Sequence, residues 1–292
     1  MAAVPRRSTI APAFLALAAL ALAGCGSSSA DDRGASEPVA TGSVSKITSA
    51  KELAFPLDAY ELTPQQSRQL DLAQDRLVTQ CMSKQGFAWA EPQRPALVEG
   101  NRHNRRYGIL DEAEARRTGY HGPQQTGTGA KGRETGRDSS DAAQKAAGTC
   151  VLEAKAKLNG KKTMDKADTT PDAFVEQLII QDAERAEQDP QVQKAFAKWS
   201  ACMDDRGFDY ADPWDSNNDP QWGESETATD RERQVAAADA SCKIENNLAG
   251  VWLAVETAYQ QRTIEENAEA LAGVKKANED ALRRAADVLG DS

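Results

Sequence analysis

A twelve-residue motif that occurs twice constrains the fold of this chain more than any other sequence feature. Residues 81–92 (CMSKQGFAWAEP) align without gaps with residues 202–213 (CMDDRGFDYADP), and the shared pattern is C-M-x-x-x-G-F-x-aromatic-A-acid-P. Six of the twelve positions are identical. A second pair of matched segments, each with one cysteine, follows at 146–153 and 238–245. Self-similarity of this kind indicates a duplicated structural unit.

Each copy of the motif is predicted to close an α-helix. Apolar residues recur at helical spacing before the first cysteine of both copies, and Thr63-Pro64 and Asp189-Pro190 have the cap and first-turn proline of a helix start. Gly86 and Gly207 stand where a left-handed C-terminal cap requires glycine. The phenylalanine that follows should pack back on the motif methionine, and the alternation after it predicts a short extended segment.

The later helices are predicted from the same kinds of signal. Thr229 and Glu232 have the spacing of a capping box for the helix that contains Cys242. An apolar stripe from Ile264 to Val288 predicts a long helical stretch to the C-terminus, with burial within the chain as the expected outcome. The fold class is therefore mainly α: a duplicated helical ectodomain with short extended segments after the repeat helices.

Four of the five cysteines are expected to form two structural disulfides. Four cysteines allow three pairings. The duplication favours Cys81–Cys150 and Cys202–Cys242, because each half then closes on itself. A metal or redox site is the alternative, but the Cys and His spacing fits no zinc pattern and C-x-x-C does not occur.

The N-terminal residues predict export and a lipid anchor. Residues 1–24 combine two arginines with an apolar run over 11–23, as in a signal peptide. The run ends in LAGC at 22–25, which resembles the bacterial lipobox, in which the cysteine receives diacylglycerol and becomes the new N-terminus. An ordinary signal peptide with a nearby cysteine is the alternative. The expected location is the extracytoplasmic face of the cell membrane, with membrane lipid attached at Cys25, where disulfides persist.

Four segments follow from these features. The signal peptide spans 1–24, and residues 25–45 are rich in Ser, Gly, Ala and Asp without an apolar pattern, which predicts a flexible tether. The first repeat half is assigned to 46–168. The second half, with the long C-terminal helix, is assigned to 169–292.

Charge and composition argue against several classes of function. The net charge of −10 becomes −12 when residues 1–24 and their two arginines are removed, so the overall field disfavours binding of nucleic acid. Only two histidines, His103 and His121, are available for acid–base chemistry near neutral pH. The nucleophile motif G-x-S-x-G does not occur. The segment Asp215–Glu226 has oxygen ligands at calcium-loop spacing, but Pro220 replaces the required glycine. No catalytic residue, metal or cofactor is predicted.

Two further motifs lie between the first pair of cysteines: Tyr107-Gly108-Ile109 and Gly119-Tyr120-His121. With the repeat, they make the chain resemble uncharacterised secreted lipoproteins of actinobacteria over roughly residues 53–260. Some proteins of that kind accompany envelope transport systems. The resemblance therefore implies an accessory role and a possible envelope or transporter protein as partner.

Two hypotheses of function follow, and an envelope hydrolase is the least supported third. The first is a non-enzymatic interaction or accessory protein of the cell envelope. The second is an extracytoplasmic protein that binds a small ligand or cell-wall fragment between the two halves. Aromatic residues near the motifs are its candidate ligand-binding residues: Trp89, Tyr107, Tyr120, Tyr210 and Trp214.

Overall fold

Helices dominate the structure, as the sequence predicts. The computed structural model describes residues 38–97, 100–121, 136–161 and 170–290, within which the only β-pairing is two isolated bridges. The signal peptide and Cys25 lie outside these residues. The α-helices of the described part are α1 (Pro64–Lys84), α2 (Glu112–Thr118), α3 (Asp141–Leu158), α4 (Pro171–Gln188), α5 (Pro190–Asp204), α6 (Pro213–Asn217), α7 (Asp230–Glu245), α8 (Leu248–Glu266) and α9 (Ala268–Gly290).

Both predicted helix starts are confirmed. Thr63 and Gln66 form a capping box on α1, in which the Thr63 hydroxyl accepts from the Gln66 amide at 3.2 Å and the Gln66 side chain accepts from the Thr63 amide at 2.8 Å. Asp189 caps α5 by accepting from the amide of Gln191 at 2.8 Å. Local side-chain chemistry therefore sets where these two helices begin.

The two motif helices end in the same way. Gly86 and Gly207 have φ angles of +82° and +78°, which favour glycine. The amide of Phe87 donates to the carbonyl of Met82 at 3.1 Å, and that of Phe208 donates to Met203 at 3.0 Å. These are the bonds of a Schellman motif. The extended segment after the first stop forms one antiparallel bridge, between Trp89 and Arg137.

The two predicted disulfides are confirmed. Cys81 on α1 is bonded to Cys150 on α3, and Cys202 on α5 is bonded to Cys242 on α7. The Cα–Cα distances are 5.7 Å and 5.8 Å, within the range that disulfides normally span. Each bridge therefore joins a motif helix to the helix with the matched second cysteine.

The two predicted halves share their hydrophobic cores, so the boundary at 168/169 does not separate two bodies. In one cluster, α9 of the second half contributes Ala285 and Val288 to the core of α1 and α3. In the larger cluster, Phe55, Tyr107 and Leu110 of the first half pack among residues of α5, α7 and α8. The described residues from 38 onward belong to one compact unit.

The physical reason is that the two motif helices bury different positions in their N-terminal turns, although Val78 and Met82 of α1 match Trp199 and Met203, which α5 also buries. Helix α5 buries Val192 and Phe196, and the Phe196 ring lies 4.9 Å from that of Trp252 on α8. The equivalent positions on α1 are Asp71 and Asp75, which bind Arg94 at 2.8 Å and 2.5 Å. Since α1 carries charge where α5 is apolar, it buries Ala73 and Leu77 instead, in the cluster that includes α9.

The C-terminal helical stretch is two helices instead of one. Helix α8 ends at Glu266, and the amide and side-chain nitrogen of Asn267 both donate to the carbonyl of Thr263, at 3.0 Å and 2.8 Å. Helix α9 then starts at Ala268. The predicted burial of the stripe is confirmed at Leu271, Val274, Ala281, Ala285 and Val288. No described helix is both long and apolar enough to span a bilayer.

The tether predicted over 25–45 ends earlier, because residues 38–47 form a strap that packs on the helices. Val39 and Ile47 are buried. The Gln191 side chain donates to the Val39 carbonyl at 3.1 Å. The Asn247 side chain accepts from the Ile47 amide and donates to the Ser45 carbonyl, both at 3.0 Å. Two buried apolar side chains and these hydrogen bonds together hold the strap on the helices.

Substitution of Gly250 should release this strap. A Cβ at Gly250 would overlap the carbonyl oxygen of Ser45 and the side chain of Asn247. We expect Gly250→Ala to lower the free energy of unfolding by about 1–3 kcal/mol, measured by urea denaturation, and to make residues 38–47 sensitive to protease. Gly273→Ala on α9 is the control: a Cβ there meets no atom within 4 Å, so that variant should be neutral or more stable. If the two variants had the same free energy of unfolding and the same sensitivity to protease, the close packing of the strap would be contradicted.

Candidate functional site

Tyr107-Gly108-Ile109 and Gly119-Tyr120-His121 both lie on residues 100–121, called the motif segment here, which packs across α7 and α8. Ile109 and Ala115 of this segment are buried against Ala236, Ala237 and Ala240 of α7. The small alanines allow the segment to lie close to the helix. Three fully buried carboxylates, Glu232 and Asp239 on α7 and Glu256 on α8, then receive its polar groups.

Glu256 binds the first motif. The Tyr107 hydroxyl donates to Glu256 Oε2 at 2.9 Å, the Arg106 guanidinium pairs with Oε1, and the Gln260 amide donates to Oε1 at 3.2 Å. The Tyr107 ring stacks on Trp252, with ring centroids 4.6 Å apart. Burial raises the pKa of Glu256, although the bonds from Arg106 and Tyr107 act in the opposite direction.

Asp239 forms a buried ion pair with Lys243, one helical turn away. Lys243 Nζ lies 2.9 Å from Asp239 Oδ2, and both side chains have 0% exposure. Asp239 also accepts from the Tyr120 hydroxyl at 3.2 Å and from Trp199 Nε1 at 3.0 Å. Gly108 has a φ of +74°, and a Cβ there would lie 2.6 Å from Lys243 Nζ. The glycine of the first motif therefore makes room for the ammonium group.

Glu232 binds the second motif. One of its oxygens, Oε1, accepts from the amides of Tyr120 at 2.7 Å and His121 at 3.1 Å and bonds to His121 Nδ1 at 2.8 Å. Thr229 caps α7 as predicted, by accepting from the Glu232 amide at 3.1 Å. The predicted capping box is wrong, because the Glu232 side chain binds the motif segment instead of the Thr229 amide. Gly119 has a φ of +55°, and a Cβ there would overlap the Glu232 carboxylate.

His121 should titrate above the ordinary pKa of histidine, 6.5, because its bonds to Glu232 and to the Ser225 carbonyl favour the protonated ring. The stability that it contributes is present below 6.5 and is lost as the pH rises through the higher folded-state pKa. In a His103→Gln background only one imidazole signal remains to be followed by NMR. We expect a midpoint above 6.5 that falls in Glu232→Gln. A midpoint at or below 6.5 before that change would contradict the ion pair.

The five aromatic residues predicted to bind a ligand do not form one pocket. Tyr107, Tyr120, Tyr210 and Trp214 belong to or pack against the larger core cluster, whereas Trp89 packs against the other cluster. The polar atoms of the four residues in the larger cluster are engaged: for example, the Tyr210 hydroxyl donates to Asp219 at 2.9 Å, and Trp214 Nε1 donates to Glu187 at 3.1 Å. Arg137 lies 4.7 Å from the Trp89 ring. Three surface cavities of about 310–370 Å³ contain none of the five in their linings.

The remaining candidate groups are also held within the protein. His103 Nε2 lies 3.0 Å from the Asp58 carboxylate. Asp219, from the segment with calcium-loop spacing, accepts from the amide of Gln221 at 3.0 Å. Among the described residues, no three His, Cys, Asp or Glu side chains form a group able to hold a metal ion.

Sequence reasoning missed the buried carboxylates and Lys243. A signal for them exists in the repeat: Asp239 and Lys243 occupy the positions that correspond to Ala147 and Val151 in the first copy. Those two residues are partly buried against an apolar cluster. Opposite charges at two positions that are apolar in the other copy indicate a buried ion pair. That inference holds only if this face of the helix is known to be covered by other parts of the protein.

The two disulfides have matched surroundings, with one chemical difference. The residue four positions after the first cysteine, Gln85 or Arg206, directs its side-chain nitrogen at both sulfurs. A glutamate three positions after the second cysteine lies beside the first sulfur: Glu153 at 3.5 Å from Cys81 Sγ, and Glu245 at 3.8 Å from Cys202 Sγ. The first bridge thus has a neutral amide where the second has a cation.

Comparison of the chain with protein-family models, curated proteins and solved structures gives no match. The class of protein is therefore described by its fold and site alone. It is a mainly α-helical protein with two disulfides, in which buried carboxylates bind the motif segment.

Proposed function

We propose that this chain is a membrane-anchored cell-surface lipoprotein that acts as a non-enzymatic interaction or accessory protein of the cell envelope. The observation that carries the proposal is that the acid–base groups of the motif segment are engaged inside the protein. His121 is bonded to Glu232, Tyr107 to Glu256, and Tyr120 to Asp239. Side chains that form such bonds hold the motif segment in a fixed position. A rigid segment of this kind is better suited to contact with a partner than to acid–base catalysis.

The lipid anchor of this proposal rests on the sequence LAGC at 22–25. Two disulfides support an extracytoplasmic location, since disulfides persist in that compartment. The strap begins to pack at Val39, fourteen positions after Cys25. The folded part would therefore lie within about 50 Å of the lipid, the reach of a fully extended chain of that length.

The anchor is tested by expressing the full chain in a bacterial host that processes lipoproteins. Intact mass spectrometry should find diacylglycerol on Cys25 and loss of residues 1–24, and the protein should fractionate with membranes. Cys25→Ala should abolish the lipid and leave the fold intact. An unlipidated product cut at another residue would overturn the anchor.

The accessory role is tested by chemical cross-linking of the lipidated protein in its native membranes, followed by mass spectrometry. The expected result is one envelope or transporter protein, cross-linked in a fixed ratio through the same surface lysines in replicate preparations. The Cys25→Ala protein, added to the same membranes, provides the control for contacts that do not need the anchor. Failure to obtain a reproducible partner would overturn the accessory role while leaving the anchor intact.

A further inference from the structure

We propose that Cys81–Cys150 is a thiol-exchange site, at which a small anionic thiol forms a mixed disulfide with Cys81, whereas Cys202–Cys242 is structural only. The proposal rests on the different surroundings of two bridges that the repeat otherwise makes equivalent. It concerns chemistry that is separate from the lipid anchor and the accessory role.

The first argument is access. A surface cavity of about 370 Å³ lies over this bridge, and both cysteines contribute to its lining with Gln80, Lys84 and Lys157. That volume is in the range of small-molecule sites. Cys150 is fully buried, whereas Cys81 is partly exposed. An incoming thiolate can therefore reach the sulfur of Cys81 and not that of Cys150.

The second argument is the fate of the leaving sulfur. The external thiolate attacks Cys81 Sγ, the sulfur–sulfur bond breaks, and its electron pair leaves on Cys150 Sγ as a thiolate. The new bond joins the external sulfur to Cys81, so no other oxidant or reductant is needed. Gln85 Nε2 lies 3.2 Å from Cys150 Sγ and can donate a hydrogen bond to the thiolate. Attack by Cys150 on the mixed disulfide reverses the step.

The third argument is charge. Lys84 and Lys157 line the cavity, and Glu153 is the acidic residue in its lining. Two positive charges against one negative favour a thiol that carries an acidic group. Glu153 itself lies 3.5 Å from Cys81 Sγ and repels an approaching thiolate, so it limits the rate of attack.

The cysteines of the second bridge are buried to the same degree, with Cys202 partly exposed and Cys242 buried, so the two bridges differ in what covers them. The Arg206 guanidinium lies against both sulfurs and is held there by Glu245 at 2.6 Å. The bond to Arg206 lowers the pKa of Glu245 below its usual range. This ion pair lies over Cys202 and Cys242, whereas Cys81 and the neutral Gln85 side chain both line the cavity.

The experiment treats the folded protein with 2-mercaptoethanesulfonate at pH 8, quenches with iodoacetamide and quantifies each cysteine by peptide mass spectrometry. The expected product is a mixed disulfide at Cys81 with alkylated Cys150, formed about tenfold faster than any product at Cys202 or Cys242. Equal rates at the two bridges, or faster exchange at the second, would overturn the proposal.

Charge variants test the choice of thiol. Lys84→Gln with Lys157→Gln should lower the ratio of rates for 2-mercaptoethanesulfonate and cationic cysteamine about fivefold. Lys155→Gln is the matched control, because Lys155 is exposed on α3 but does not line the cavity. Glu153→Gln should accelerate attack by the anionic thiol. An unchanged ratio in the double variant would refute the anionic preference, and circular dichroism verifies that each variant is folded.

Discussion

Replacement of Lys243 with methionine should lower the free energy of unfolding by about 3–5 kcal/mol, the largest effect that we expect of any single substitution here. The change leaves the Asp239 carboxylate fully buried without its cation, while Tyr120 and Trp199 remain as donors. Adding Asp239→Asn should recover much of the loss, because the amide is neutral and still accepts from Trp199. Urea denaturation at pH 7 with intact disulfides measures both variants.

The pH dependence of Lys243→Met provides a second check. Burial raises the pKa of Asp239 already in the unaltered protein, and removal of the ammonium group raises it further. The carboxyl can therefore take up a proton, and the loss relative to the unaltered protein should shrink as the pH is lowered from 7. A loss below about 1 kcal/mol at pH 7, or a double variant no more stable than the single one, would refute a stabilising ion pair.

Removal of either disulfide by paired alanine substitution should cost about 4 kcal/mol, because each bridge limits the conformations of the unfolded chain. The sequence separations are 69 for Cys81–Cys150 and 40 for Cys202–Cys242. Loop-closure entropy grows only with the logarithm of loop length, so the two losses should agree within about 1 kcal/mol. Urea denaturation of the two double-alanine variants tests this.

A much larger loss for Cys202→Ala/Cys242→Ala would have a different meaning. Cys242 lies in the larger core cluster and next in sequence to the buried Lys243. A difference well beyond about 1 kcal/mol would show that this bridge also holds the native position of α7 against the motif segment. A loss near zero for either pair would contradict the loop-closure account for that bridge.

The helix ends and the disulfides could be predicted because their causes are local or repeated. Thr63, Asp189, Gly86 and Gly207 act on backbone groups within a few residues. The pairing of four cysteines is not local, but the repeated motif reduced three possibilities to one that the structure confirms. The lipid anchor and its cysteine lie outside the described residues and stay a prediction.

The candidate site was predicted only in part. The two motifs on the motif segment were identified, but the five aromatic residues were expected around a ligand and the structure places four of them in or against one core. Aromatic side chains of this kind serve equally well in a core or a pocket, and the sequence does not say which surface covers them. Glu232 shows the same limit of sequence reasoning. Its spacing from Thr229 fits a capping box, but in the structure its side chain binds the second motif instead.

By itself, the sequence determined the mainly α class, the starts and stops of the motif helices and the pairing of the cysteines, because these depend on short-range chemistry and on an internal repeat. Only the tertiary structure decided which faces the helices bury. It placed α9 on the first copy and the motif segment on the second. It also decided that Asp239, Lys243 and Glu256 lie inside, since the burial of a charge depends on what covers the helix and not on the helix itself.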